Sequence, residues 1–223
     1  MEKLSQKSIK RGFDFKSFFR EWGLIFLILI IIAIASAKRP AFLSGSNLIN
    51  ILRSYSTIGI AALGMAYTVI AGGMDLSISS TVSLSAVLTM LVINATTVDR
   101  VSPDYASFAV LLIGIVVGAV VGCISGGILA AVNGRMGESF IITYAIQIIV
   151  AAVANAVVNG QFQSASYKSG LFKMLGSGVV PVLFFLVIAV IMQFILVKTA
   201  FGRNLYFLGA NMEAAKMAGI RTR

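Results

Sequence analysis

Six long apolar segments dominate this chain and leave it few ways to fold. An α-helix rises about 1.5 Å per residue, so about twenty residues cross a hydrocarbon core roughly 30 Å thick. Helices are favoured there because lipid cannot satisfy open backbone groups. The sequence therefore predicts an all-α, polytopic bundle of about six transmembrane helices, at 22–37, 48–72, 77–95, 107–132, 139–158 and 179–197.

Composition excludes several other classes of protein. Hydrophobic residues make up 58% of the chain and charged residues only 12%, which is unlike an ordinary soluble domain. The net charge of +10 does not indicate nucleic acid as a partner, because the Lys and Arg residues fall at the ends of the apolar segments. With no histidine and one cysteine, Cys123, the sequence predicts no metal site, no cofactor and no catalytic residue.

The basic residues also predict an orientation. Most of them fall in segments that are cytoplasmic if both termini lie inside, and we expect those segments to contact anionic membrane lipids. This arrangement divides the chain into a basic N-terminal segment at 1–21, a transmembrane domain at 22–197 and a cytoplasmic segment at 198–223. A cleavable signal peptide ending near Ala35-Ser36-Ala37 stays open as an alternative, although it would leave five spans and separate the two basic ends.

A glycine-rich break separates the second and third spans. Gly72 and Gly73 free the backbone from helical dihedral angles, and Asp75 is the only acidic residue for many positions on either side. One interpretation is a tight turn in which Asp75 is the N-cap of the next helix, supported by Ser77 or Ser79. The other is a discontinuous segment beside a translocation path, formed by Gly72, Gly73, Asp75 and Ser77.

The fourth span carries a stripe of glycines at a constant spacing of four. Such a stripe is typical of close helix packing, either against a neighbouring helix of the same chain or at a subunit interface. The residues are Gly114, Gly118, Gly122 and Gly126.

The fifth span carries a polar stripe, so we expect that helix to face inward. Thr143, Gln147 and Asn155 are separated by multiples of four residues, and Asn159 continues the series. Amides in a span need hydrogen-bond partners. The stripe is explained either by a path for a hydroxylated solute or by hydrogen bonds that hold the helices together.

The last segment is polar, basic and rich in motifs. It contains Thr199-x-Phe201-Gly202-Arg203, then Gly209-x-Asn211, Glu213-Ala214-Ala215 and Gly219-Ile220. In this order the residues resemble the coupling loop of ABC-type sugar importer permeases, with which a cytoplasmic ATPase engages. The residues assigned to coupling by the resemblance are Thr199, Gly202, Arg203, Asn211, Glu213, Ala214, Ala215 and Gly219.

Two further stretches support the resemblance with small departures. The sequence Gly-Gly-Met-Asp-Leu-Ser ending at Ser77 is similar to the family's Gly-Gly-Ile-Asp-Leu-Ser, with Met74 in place of isoleucine. The stretch from Asn133-Gly134 to Thr143 is similar to another family segment, but Glu138 and Ser139 stand where proline is usual, and Tyr144 replaces leucine.

The resemblance implies the permease subunit of an ATP-driven importer of a monosaccharide or similar small solute in the bacterial inner membrane. Its partners would be an ABC ATPase, a second permease chain and a periplasmic or lipid-anchored solute-binding protein. The chain has no Gly-x-x-x-x-Gly-Lys-Ser/Thr string, so ATP hydrolysis is expected on a separate chain and this one is not an enzyme.

Two other kinds of transporter would fit many of the same features. One is a branched-chain amino-acid or nucleoside permease of the same importer class, and the other is an ion-coupled secondary transporter that uses Asp75. Members of the resembled family continue past the coupling loop with further spans. The sequence, which stops at Arg223, therefore predicts a C-terminally truncated permease that does not transport by itself.

Overall fold

Helices account for nearly all of the structure that can be described. The computed structural model describes residues 15–96, 104–132, 134, 136–161 and 170–220. Within these ranges there is no strand, which confirms the all-α class. The α-helices are α1 (Phe15–Lys38), α2 (Gly45–Ile70), α3 (Ile78–Thr96), α4 (Asp104–Ala131), α5 (Met136–Val157), α6 (Gly170–Leu175), α7 (Val180–Lys198), α8 (Ala200–Ala210) and α9 (Met212–Met217), and a short 3-10 helix covers Pro40–Leu43.

Five of these helices are long and apolar enough to cross a membrane, namely α2, α3, α4, α5 and α7. Each begins and ends within a few residues of the predicted span. The sixth predicted span corresponds to α1, whose apolar part, Trp22–Lys38, is shorter than the other five. The helix itself begins at Phe15, inside the segment predicted to be cytoplasmic.

The chain forms two compact units that meet within α2, between Ile51 and Leu52. In the first unit, α1 contacts the 3-10 helix that follows it. The second unit contains the rest of α2 and every later helix, and it includes all the residues assigned above to coupling and translocation.

In the second unit, α3 packs mainly against α4 and α5. A small core forms around Val121, Ile146 and Val150, with Leu84 and Ile142 against it. Most large apolar side chains elsewhere on the spans are exposed, as expected for helices that face lipid. Two polar connections, at 94–105 and 161–170, are external if both termini lie inside, and most of each lies outside the described residues.

Three helix ends come together at one end of the second unit. They are the C-terminus of α2, the N-terminus of α5 and the corner where α7 passes into α8. The predicted break between the second and third spans is confirmed, because α2 ends at Ile70 and α3 begins only at Ile78. Both predicted sites lie at this end of the unit.

Candidate coupling and translocation site

The segment predicted as a coupling loop is a pair of helices, α8 and α9, each started by a side-chain cap. The Thr199 hydroxyl accepts a hydrogen bond from Gly202 N–H (3.2 Å) and donates one to the Ile195 carbonyl (2.5 Å). Asn211 Oδ1 accepts from the N–H groups of Glu213 (3.0 Å) and Ala214 (3.1 Å). These caps pair backbone N–H groups that the first turn of a helix leaves without a partner, so the sequence fixes where α8 and α9 begin.

The C-terminus of α9 is closed by a Schellman motif. Gly219 N–H donates to the Lys216 carbonyl and Ile220 N–H to the Ala215 carbonyl, both at 3.0 Å. Gly219 has φ of +77°, a left-handed conformation in which glycine avoids the strain that a side chain causes. Ala215 is 1% exposed and anchors the inner face of this short helix.

The outer face of the pair combines charge with exposed apolar surface. Arg203, Glu213 and Ala214 are exposed, and Phe207 and Met217 are 59% and 85% exposed. Glu213 forms an ion pair with Lys216 at 3.3 Å. Since both side chains are largely in solvent, the pair contributes little to stability. An ordered surface with exposed Phe and Met side chains is typical of a protein interface.

At Gly209 the inner face of α8 lies against the end of α2 without an intervening side chain. A Cβ added at Gly209 would overlap the Ile70 carbonyl oxygen, and one added at Gly72 would lie 3.4 Å from Gly209 Cα. The rings of Tyr67 and Phe201 also stack, with centroids 6.3 Å apart. Gly209 was not among the residues predicted for coupling. It lies in the Gly209-x-Asn211 motif, but nothing in the sequence indicates a packing role for a glycine inside a short helix, where alanine is intrinsically preferred.

Side chains of α5 hold the non-helical segment Gly72–Ser77. Met74 N–H donates to Ser139 Oγ (3.0 Å), and Leu76 N–H donates to Thr143 Oγ1 (3.1 Å). Open backbone groups are thereby paired with protein, as irregular backbone at membrane depth requires. Ser139 stands where the resembled family usually has proline. Its role, which the sequence did not predict, is to accept the hydrogen bond from Met74.

Asp75 is not the N-cap of α3, in contrast to one of the two interpretations. Ser77 directly precedes the first residue of α3 and so occupies the N-cap position. Asp75 Oδ1 accepts hydrogen bonds from Ser77 N–H (2.9 Å) and Ser77 Oγ (2.6 Å). Asp75 thus fixes the residue that starts the helix. Ser77 is 2% exposed, whereas Ser79 is exposed to the outside of the chain.

Two cavities lie on either side of Asp75, and Gly122 also borders both. The larger, about 450 Å³, is enclosed by the Gly72–Asp75 stretch, α4, α5 and the coupling pair. The smaller, about 370 Å³, lies among α2, α3 and α4. Asp75 is partly buried between them. The larger is lined in part by Gly72, Gly73, Thr143, Leu208, Met212 and Lys216, and the smaller by Thr57, Gly64, Ser77, Thr81 and Gly118.

The glycine stripe on α4 does not make the close packing expected within the chain. A Cβ added at Gly114, Gly118, Gly122 or Gly126 meets no atom of the described residues within 4 Å. Gly118, Gly122 and Gly126 instead border the cavities. Glycines spaced four residues apart identify a helix face without side chains, but they do not identify the surface that packs against that face. The subunit-interface alternative stays a prediction.

The polar stripe on α5 is only partly directed inward. Thr143 is 5% exposed, Gln147 is partly buried, and Asn155 is exposed. Neither Gln147 nor Asn155 lines either cavity. Each step of four residues turns about 40° past a full helical turn, so the stripe leaves the buried face. The buried ridge of α5 is instead formed by Ser139, Thr143, Ile146, Val150 and Ala154.

Taken together, the long apolar helices define a multi-pass α-helical membrane protein, with the capped pair α8 and α9 at one end. The family described as the permease component of the branched-chain amino acid transport system matches residues 47–223, and the chain belongs to this family. It is accordingly a multi-pass protein of the bacterial inner membrane.

Three curated relatives show how far the similarity extends. A galactose/methyl galactoside import permease protein of Escherichia coli K12 is 33% identical, covering 99% of this chain and 67% of the relative. A D-allose transport system permease protein of the same strain is 30% identical, with 97% and 64% covered. A ribose import permease protein of Bacillus subtilis 168 is 31% identical, with 95% and 64% covered. The chain thus spans about two thirds of the length of these relatives. No significant match to a solved structure was found.

Proposed function

We propose that this chain forms part of the permease subunit of an ATP-driven importer that moves a monosaccharide across the bacterial inner membrane. The observation that carries the proposal is the coupling pair, α8 and α9, which is capped at Thr199 and Asn211 and seated on α2. The substrate class follows the relatives, which are named for galactose, allose and ribose.

In this proposal a separate ATPase docks on the exposed face of the coupling pair. Arg203 and Glu213 offer charges of both signs there, and Met217 offers an adaptable apolar contact. Closure of the ATPases would push the pair and tilt the spans, which alternates access to the path. A second permease chain completes the pore, and a periplasmic or lipid-anchored binding protein delivers the solute.

The solute path is proposed to pass the residues that border the two cavities. Asp75 and Thr143 supply oxygen atoms that can bind sugar hydroxyls, and Gly72, Gly73 and Ser77 shape the segment that holds Asp75. Gln147 and Asn155 belong to the path only if another span or the second permease chain covers their face of α5.

A second candidate is the uptake of a branched-chain amino acid, because the description of the matching family names that class of solute. The three sugar permeases favour the first candidate. An ion-coupled transporter has less support, since Asp75 would have to serve alone as the coupling carboxylate.

Uptake into proteoliposomes separates these candidates. The full-length permease, assembled with its ATPase and binding protein, is supplied with radiolabelled galactose, ribose, allose or leucine, with and without ATP. We expect ATP-dependent uptake of one of the sugars that persists when a protonophore collapses the proton gradient. Uptake of leucine alone would establish the second candidate, and uptake that follows the gradient without ATP would contradict an importer of this class.

A further inference from the structure

We propose that the Gly72–Ser77 segment is a mechanical relay that carries motion of the coupling pair directly to Asp75 and α5. This inference rests on the proposed function and adds a route that does not pass along α7. The relay has two joints, one between Gly209 and the end of α2, and one between the segment and the hydroxyls of Ser139 and Thr143.

The first joint cannot absorb a small displacement of α8. At Gly209 the backbone of α8 lies directly against the Ile70 carbonyl, so closely that a single added Cβ would overlap it. Most helices contact each other through side chains, which change rotamer and absorb small displacements. Here backbone meets backbone, and movement of α8 toward α2 must displace residues 70–72 themselves.

The segment that receives this motion is suited to move as a unit. It lies outside both helices, and Gly72 takes a φ of +83° that other residues rarely adopt. Two hydrogen bonds join the Asp75 carboxylate to Ser77, directly before α3, so the carboxylate moves when the segment moves. Dihedral changes at the glycines, which start the segment, would let the residues after them turn together.

The second joint passes the motion to α5. Ser139 Oγ accepts a hydrogen bond from Met74 N–H, and Thr143 Oγ1 accepts one from Leu76 N–H. The donors are two residues apart on the segment, and the acceptors are one turn apart on α5. Ser139 and Thr143 are 2% and 5% exposed, so these hydrogen bonds are largely shielded from bulk water. The two hydroxyls are therefore positioning residues, which act on the path through the segment.

The large cavity has walls from both moving parts. Leu208, Met212 and Lys216 line it from the coupling pair, while Gly72 and Asp75 line it from the relay. Asp75 also borders the smaller cavity. Displacement of the pair against the segment thus changes both the volume of the larger cavity and the opening beside Asp75.

The test measures solute molecules transported per ATP hydrolysed, in the reconstituted full-length permease with its ATPase and binding protein. Gly209→Ala disturbs the first joint, and Ser139→Ala removes one bond of the second. Gly127→Ala is the matched control, because the Cβ it adds meets no described atom within 4 Å. We expect each single variant to lower the ratio at least fivefold, and the double variant to fall no further than the worse single variant. Independent structural defects would multiply instead.

Several outcomes overturn the relay. Multiplying effects in the double variant would do so, as would uptake and hydrolysis falling together with an unchanged ratio. If Gly209→Ala does not insert into the membrane, Ser139→Ala decides alone, and an unchanged ratio contradicts the proposal. The parent transporter is measured first. If it shows no ATP-dependent uptake, the proposed function fails, and that result is distinct from a coupled parent whose variants keep the normal ratio.

Discussion

The corner between α7 and α8 gives a sharp prediction about Gly202, a buried glycine one turn into α8. A Cβ added there would overlap the carbonyl group of Leu196, near the end of α7. Gly202 N–H also donates to Thr199 Oγ1, and that hydroxyl in turn donates to Ile195. The overlap can be relieved only by moving backbone that these hydrogen bonds hold in place.

The size of the effect follows from opposing contributions. Alanine in place of glycine inside a helix gains about 1 kcal/mol. Forcing an extra methyl group into a packed site costs about 1–3 kcal/mol. Losing the cap hydrogen bond costs about 0.5–1.5 kcal/mol more. We therefore expect Gly202→Ala to lower the free energy of unfolding by roughly 0.5–3.5 kcal/mol.

The assay is unfolding of the purified permease in mixed micelles by titration with SDS, followed by circular dichroism and by protease resistance at the corner. Gly127→Ala is the control, because the same substitution in α4 meets open space. It should leave stability unchanged or raise it by up to about 1 kcal/mol. Equal shifts for the two variants would refute the claim that close backbone contact at Gly202 fixes this corner.

Three further predictions concern single sites. Asp75→Asn keeps the oxygen that accepts from Ser77 and should retain most uptake, whereas Asp75→Leu loses two hydrogen bonds, which should destabilise the start of α3 by about 1–3 kcal/mol and reduce uptake. Equal, severe loss of uptake in both variants would show that the negative charge is required. Glu213→Arg breaks an exposed ion pair, so the free energy of unfolding in SDS should change by less than about 1 kcal/mol, while co-purification with the ATPase should be lost. Unchanged co-purification and uptake would contradict the docking assignment. Gly219→Ala should loosen the end of α9 by about 1 kcal/mol, measured by hydrogen exchange, because φ of +77° strains alanine; protection equal to the parent would contradict that reason.

The spans could be predicted because one strong physical requirement decides them. Apolar runs must be helical in lipid, and breaks such as the one at Gly72 interrupt the pattern visibly. The start of α3 was harder, since Asp75 and Ser77 are both good capping residues two positions apart. Their roles depend on which oxygen reaches which N–H group, and sequence spacing does not contain that information.

The candidate site was less predictable, because its contacts join residues far apart in the chain. The motif identified Thr199, Asn211 and Gly219, each of which has a local structural role as a cap or turn. It contains Gly209, but neither Gly209 nor Ser139 could be given a contact from the sequence, because their partners lie far away in the chain. Periodic stripes on α4 and α5 gave a direction on each helix but no partner, so the surfaces that pack against them stay predictions.

Tyr67 adds a constraint on how this protein is made. Its hydroxyl, near the end of α2, donates to the Met192 carbonyl in α7 at 2.6 Å, across 125 positions of sequence. Ribosomes add about 5–20 residues per second, so α2 is complete roughly 6–25 s before its partner exists. The contact between α2 and α7 therefore forms only after α3, α4 and α5 have been synthesised, and α2 is held in the membrane without it until then.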